Sequence, residues 1–135
     1  MKAEIQDLWD NLVFHYEHQG EFQLIILDNK KVKHMWDNYN ASLLKILHKK
    51  DLHYATSNGR FIERIGARLA VKLAYGKRYS KENLKNIFIA SDTWGSPSLW
   101  YQTHEIKHVV ISLTHIPNYS GACLHNINSF DIVTL

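Results

Sequence analysis

The segment from residue 60 to about residue 79 constrains the fold more than any other part of this chain. Its residues at helical spacing are Phe61, Ile65, Leu69, Lys72, Leu73 and Gly76. That spacing predicts one long helix whose apolar face must be buried against another layer. Asn58-Gly59, directly before it, predicts a turn. With 135 residues, the chain has room for about one domain around this helix.

The patterns on either side of this helix predict the other layer. Residues 3 to 18 have helical periodicity before Gly20, and we expect shorter helices at 32–39, 41–47 and 50–57. Ser80 is a candidate helix cap for a short turn at 81–83. Apolar or alternating runs predict strands at 22–27, 86–91, 98–102, 108–114, 119–125 and 130–135. This order predicts an α+β fold in which helices pack on an antiparallel sheet.

Composition and charge restrict the class of protein. Hydrophobic residues make up 45% of the chain and charged residues 21%, as in ordinary globular domains. The lone Cys123 excludes an intrachain disulfide. The longest apolar run, at 24–27, is too short to span a membrane, and no signal-peptide pattern is visible. We therefore expect a cytoplasmic protein without a membrane partner.

The net charge of +3 favours an acidic partner only weakly. Lysines at 30–31, 33, 45 and 49–50 have few aromatic residues between them, so we do not expect nucleic acid as a partner. Histidines occur in pairs at 15 and 18, 48 and 53, and 104 and 108. No cysteine pair or H-E-x-x-H motif accompanies them, so the sequence predicts no metal site of this kind.

The run Arg68-Leu69-Ala70-Val71-Lys72-Leu73-Ala74, followed by Lys77, resembles a helix of the holo-acyl-carrier-protein synthase group of phosphopantetheinyl transferases. That helix reads R-F-A-A-K-E-A-x-x-K. Four further pieces follow the family order, at residues 23–32 and 43–54, at Gly95-Ser96-Pro97, and at Ile111-Ser112-Leu113-Thr114-His115. The resemblance covers residues 23 to 133, most of the chain.

This resemblance implies a domain from 21 to 135, preceded at 1–20 by an amphipathic helix that the family's short members lack. It implies coenzyme A or a phosphopantetheine arm as the cofactor and an acyl carrier protein as the partner, in fatty acid or polyketide biosynthesis. It also implies oligomerisation as a trimer, or with another chain. The candidate catalytic residues are Lys77 and His115, and the candidate cofactor contacts are Arg68, Lys72, Gly95 and Pro97.

The chain departs from the family at both magnesium ligands. The resemblance places the two acidic ligands on Ile25 and Leu73, and aliphatic side chains cannot coordinate magnesium, which takes oxygen ligands. Asp28 takes the first position only if the strand slips by three residues, which reverses its faces. We therefore expect a divergent member that binds an acyl carrier protein or its phosphopantetheine-linked acyl chain without magnesium-dependent transfer.

Two alternatives stay open. One is an active holo-acyl-carrier-protein synthase whose acidic ligands come from Asp28, Glu63 or Asp92. The other is a non-catalytic interaction subunit, whose N-terminal helix docks on a partner through Ile5, Trp9 and Leu12.

Overall fold

The structure, a computed structural model, describes residues 2–79 and 83–127. In chain order the elements are α1 (Ala3–Leu12), β1 (Val13–Gln19), β2 (Phe22–Asp28), α2 (Asn29–Tyr39), α3 (Ala41–Leu44), α4 (Lys49–Ser57), α5 (Phe61–Arg78), a 3-10 turn (Leu84–Asn86), β3 (Ile87–Ser91), β4 (Pro97–Tyr101), β5 (His104–Ile106), β6 (Val109–His115) and β7 (Tyr119–Asn126). The predicted α+β class is confirmed.

The strands form two antiparallel sheets. The larger sheet has the order β1-β2-β7-β6, and the smaller has the order β3-β4-β5. Along β2, alternate residues are buried (Gln23, Ile25 and Leu27), and this face packs on α5. Period-two burial of this kind is what a strand needs when one face covers the core. The core therefore lies between the larger sheet and α5, which packs on both β7 and β2.

Helix α5 is the long helix that the sequence predicts. Every residue from Ile65 to Gly76 is buried, because the sheet covers one side and α2 and α4 pack on the helix as well. Gly66 permits a close approach: a Cβ there would lie 2.5 Å from Asn29 Oδ1 and 2.7 Å from Ser120 Oγ. The middle of α5 is thus enclosed, and only its ends reach the surface.

The N-terminal segment differs from the single helix expected over residues 3–18. Helix α1 ends at Leu12, and residues 13–19 form β1, which pairs with β2 from Val13↔Leu27 to Gln19↔Phe22. Spacing alone could not distinguish the two, because the β-rich residues Val13, Phe14 and Tyr16 also fit a helical period. Pairing with a distant strand decides it. The division of the chain at residue 20 stays a prediction, although β1 belongs to the larger sheet.

The apolar face of α1 is not free for a partner, contrary to the docking hypothesis. Ile5 is 7% exposed and Leu12 is fully buried, both within the domain's own core. Trp9 is partly buried against the same core.

The C-terminal half follows the predicted strands, with the addition of the short β5 between the strands predicted at 98–102 and 108–114. The expected cap at Ser80 and the expected strand at 130–135 lie outside the described residues. None of the described helices is both long and apolar enough to cross a membrane.

Candidate functional site

Lys77 lies in the last turn of α5, on the surface, against two aromatic rings. Its ammonium nitrogen is 4.8 Å from the ring centroid of Trp9 and 5.5 Å from that of Tyr16. The two rings meet edge to face, with centroids 4.8 Å apart. Within residues 2–79 and 83–127, no carboxylate is within ion-pair distance of Lys77 and no hydrogen bond uses its donors. The rings thus hold a cation whose donors remain available.

Beneath these rings lies a buried polar network. Gln23, which is 2% exposed, donates from Nε2 to the Tyr16 hydroxyl and to the Ala74 carbonyl, at 2.9 Å each. Asn126 donates to Gln23 Oε1 at 3.2 Å and accepts from the Tyr79 hydroxyl at 3.3 Å. Because buried polar groups are stable only when paired, this network fixes Tyr16 relative to the end of α5.

The positions that the resemblance assigns to magnesium ligands are apolar and fully buried. Ile25 and Leu73 each have 0% exposure and belong to the core cluster. Magnesium requires oxygen ligands and retains water, so these residues do not fit it. Among the described residues, no group of three or more His, Cys, Asp or Glu side chains could hold a metal ion. No step of a reaction is therefore assigned to a metal here.

Lys72 lies inside the domain rather than in a cleft. Its ammonium has 0% exposure, lies 3.0 Å from Asp51 Oδ2, and donates to the carbonyls of Ile46, Leu84 and Ile87. These contacts leave no ammonium donor for a phosphate. Burial lowers the pKa of Lys72 from its ordinary value, while Asp51 opposes that shift. We assign Lys72 to the core and not to the candidate site.

Arg68 belongs to the same buried cluster. Its Nε is 3.7 Å from Asp51 Oδ1, and its guanidinium lies 4.0 Å from the ring centroid of Tyr54. The side chain is only 3% exposed, and burial lowers its pKa, with Asp51 again opposing the shift. Tyr54 separates Arg68 from a groove of about 730 Å³ between α4 and β3.

His115 ends β6 and pairs with Glu63 at the start of α5. Its Nδ1 lies 3.0 Å from Glu63 Oε1, and the two side chains are 23% and 14% exposed. Ser120 fixes the same turn by donating to the Glu63 carbonyl at 2.7 Å. A carboxylate at Nδ1 orients an imidazole and leaves Nε2 for a ligand or a proton.

The structure does not bring the two candidate catalytic residues together. Glu63, the partner of His115, precedes Lys77 by 14 residues on one helix, a separation of about 21 Å along the axis at the α-helical rise. At this separation the two side chains of one chain cannot act on the same bond of a substrate, although an extended ligand could contact each of them.

The remaining predicted residues lie in a surface turn. Gly95 has a φ of +81° and donates its N–H to the Asp92 carbonyl at 3.0 Å, while Pro97 opens β4. The Asp92 carboxylate accepts from the amides of Trp94 and Ser96, at 2.9 Å each. Asp28 caps α2 by accepting from the Lys30 amide at 2.9 Å. These contacts hold Asp92 and Asp28 in local structural roles.

Sequence reasoning missed Asp51, Trp9 and Tyr16 as partners of the cations. Lys72 on the apolar face of a long helix was a usable signal, because a buried lysine needs a buried acid. Asp51 stands in the preceding helical pattern, where the resemblance also expects an acid. No comparable signal pointed to Trp9 and Tyr16, which lie more than 60 positions before Lys77.

No protein-family model matches the sequence, and no curated protein matches it. Solved structures do match. A holo-(acyl-carrier-protein) synthase from Bacillus anthracis, in complex with coenzyme A (3',5'-ADP), is 22% identical, with a TM-score of 0.63 over 80% of this chain and 96% of that chain. The synthase from Neisseria meningitidis is 18% identical, with a TM-score of 0.66 over 80% and 98%. That from Helicobacter pylori, in complex with coenzyme A, is 12% identical, with a TM-score of 0.63 over 78% and 98%. The chain therefore has the fold of the AcpS-type phosphopantetheinyl transferases.

Proposed function

We propose that this chain binds an acyl carrier protein through its phosphopantetheine arm, or through the acyl chain on that arm, and does not transfer the arm in a magnesium-dependent reaction. The observation that carries the proposal is the 0% exposure of Ile25 and Leu73. Burying aliphatic groups where a hydrated cation would have to sit removes the site for that ion. The proposed ligand is therefore recognised without a metal, through contacts with side chains that reach the surface.

Cations support binding of a phosphate-bearing ligand. Lys77 is exposed, no carboxylate of the described residues lies within ion-pair distance of it, and two synthases with this fold bind coenzyme A. An ammonium with free donors is a good contact for a phosphate oxygen. An acidic carrier protein would also be attracted by the net charge of +3.

If a reaction occurs on the bound chain, we propose His115 as its general acid or base. The Glu63 carboxylate holds the ring at Nδ1, so Nε2 is the atom that exchanges a proton. We propose further that the protein works as an oligomer, as a trimer or with another chain, which sedimentation would establish.

Two measurements test the proposal together. Apo acyl carrier protein, coenzyme A and magnesium are incubated with this chain, and the intact carrier mass is measured beside a known transferase in the same buffer. We expect no mass gain. Calorimetric titration with holo and acylated carrier protein should then give binding, with apo carrier as the control. A mass gain of one arm, or no binding to any carrier, contradicts the proposal.

The second candidate is an active transferase with acids from other positions. One observation favours it: Asp28 pairs with Tyr119 across the strands, while the main-chain carbonyl of Glu63 accepts from the neighbouring Ser120 hydroxyl, so both residues lie beside the start of β7. If the carrier gains mass only with magnesium, and Asp28→Ala abolishes the gain while Asp37→Ala does not, this candidate replaces the first.

A further inference from the structure

The N-terminal segment supplies the two rings that contact Lys77. Trp9 comes from α1 and Tyr16 from β1, and both precede residue 23, where the resemblance begins. Tyr16 is also the cross-strand partner of Ile25, the residue at the first magnesium-ligand position. The N-terminal segment therefore borders one of the two positions that the resemblance assigns to magnesium ligands.

We infer that Trp9 and Tyr16 are positioning residues that hold the Lys77 ammonium as the phosphate contact of the phosphopantetheine arm. The inference rests on the proposed function, since it specifies how that site recognises its ligand. The N-terminal segment would then contribute to binding of the phosphopantetheine arm.

The kind of contact supports positioning. A ring face attracts an ammonium without accepting a conventional hydrogen bond, so the three donors of Lys77 stay available to an anion. A carboxylate partner would neutralise the charge instead, as Glu21 does for the neighbouring Arg78 at 3.0 Å. The rings also restrict a long, flexible side chain before the ligand arrives, which lowers the entropy cost of binding.

The rings themselves are fixed. Trp9 and Tyr16 meet edge to face, and the Tyr16 hydroxyl accepts from Gln23, which also donates to Ala74. Ala74 and Lys77 are three residues apart on α5, so the network and the cation share one turn of helix. Because Lys77 remains exposed, the rings support the cation rather than cover it.

The test separates phosphate recognition from folding. Dissociation constants are measured for 4'-phosphopantetheine and for pantetheine, which lacks the phosphate, and their ratio gives the phosphate preference of each variant. Lys77→Gln should reduce the preference about ten- to a hundredfold, as for a lost charged hydrogen bond. Trp9→Leu should reduce it about two- to fivefold, as for a lost cation–π contact. Trp9→Phe, which retains a ring, should keep most of it.

Trp36→Leu is the matched control. Trp36 is also partly buried and packs edge to face on another ring, Phe61, at 4.9 Å. Its loss should lower the melting temperature while the phosphate preference stays that of the wild type. A merely structural role for Trp9 predicts the same result for Trp9→Leu, and that result would overturn the inference.

Nuclear magnetic resonance tests the geometry without any ligand. The Hε protons of Lys77 should show an upfield ring-current shift that disappears in Trp9→Leu and persists in Trp36→Leu. A free-lysine shift in the wild-type protein overturns the inference whatever the protein binds.

The failures are distinguishable. If the wild type prefers phosphopantetheine but Lys77→Gln keeps that preference, the inference fails and the proposed function stands. If the wild type binds neither compound nor any carrier protein, the proposed function fails and the inference falls with it.

Discussion

Lys72 and Lys77 lie on the same helix, and both match lysines of the family motif, yet their surroundings are opposite. Lys72 is fully buried; its ammonium pairs with Asp51 and donates hydrogen bonds to main-chain carbonyls. Lys77 is exposed and meets two ring faces and no described carboxylate. A match to the motif thus identifies a side chain, whereas the burial and the partners of that side chain determine whether it can bind a ligand.

The largest effect should come from Asp51→Asn. Asp51 has 0% exposure and lies within 4 Å of both Lys72 and Arg68, so the change leaves two buried cations without a counter-charge. Removing one partner of a buried ion pair costs about 3–5 kcal/mol. Urea unfolding should show a loss of stability of this size or an unfolded protein.

Asp37→Asn is the surface control for Asp51. Asp37 pairs with Lys33 across one turn of α2, and both side chains are about half exposed or more. Its loss should cost about 0.5 kcal/mol or less. If Asp51→Asn lowers the free energy of unfolding no more than Asp37→Asn does, the buried cluster of Asp51, Lys72 and Arg68 does not stabilise the fold as we infer.

The next effect should come from Lys72→Met, which keeps an unbranched side chain, one atom shorter, and removes the charge. Three carbonyls lose a donor and Asp51 loses its nearest cation, although Arg68 and the Ile89 amide remain beside it. We expect a loss of about 3 kcal/mol in urea unfolding. In a double-mutant cycle with Asp51→Asn, the combined loss should be at least about 1 kcal/mol below the sum. Additive losses would mean that the two residues do not act as a pair.

Lys77→Met should affect stability far less. Its contacts with Trp9 and Tyr16 are cation–π contacts at the surface, which contribute at most about 1 kcal/mol. The same urea measurement, run beside Lys72→Met, gives the contrast directly. Equal losses for the two lysines would remove the distinction between a core cation and an available one.

The sequence predicted the parts of this architecture that local pattern determines. The helical period of residues 61–76 predicted α5, and a β-rich apolar run predicted β2, because both patterns follow from burial. It did not predict β1, since the pairing of Tyr16 with Ile25 decides between strand and helix. It also did not predict β5, which pairs with the adjacent β4 across a tight turn but has exposed polar residues at its start.

The site shows the same division. The resemblance identified Lys77 from the sequence alone, and it also identified Ile25 and Leu73 as aliphatic residues at the positions of the two acidic ligands. The burial of Lys72, which the motif suggested as a cofactor contact, depends on Asp51 approaching from α4. The ring pair at Lys77 depends on the change from α1 to β1 at residue 13, which leaves Trp9 against Tyr16. No local pattern encodes the surroundings of either lysine.

The smallest effect concerns His48, which lies beside the buried cluster and should make the stability of the protein depend on pH. Its Nδ1 accepts from the Lys50 amide at 2.9 Å, and its own amide donates to Asp51 at 3.3 Å. Burial lowers the pKa of His48 below its ordinary value of 6.5, and Asp51 partly opposes that shift. The unfolded chain then binds the proton more tightly, so stability should fall as the pH drops through about 6.5, until the folded-state pKa is passed.

His48→Asn isolates this contribution, since asparagine is a good helix cap and does not titrate. We expect the wild type to lose slightly more stability than the variant between about pH 8 and about pH 5. Urea unfolding across that range measures the difference. Because neutral Nδ1 is the acceptor for the Lys50 amide, protonation also removes the cap, and both effects have the same sign. Parallel pH profiles for the two proteins would show that the buried surroundings of Asp51 do not extend to His48 and do not lower its pKa.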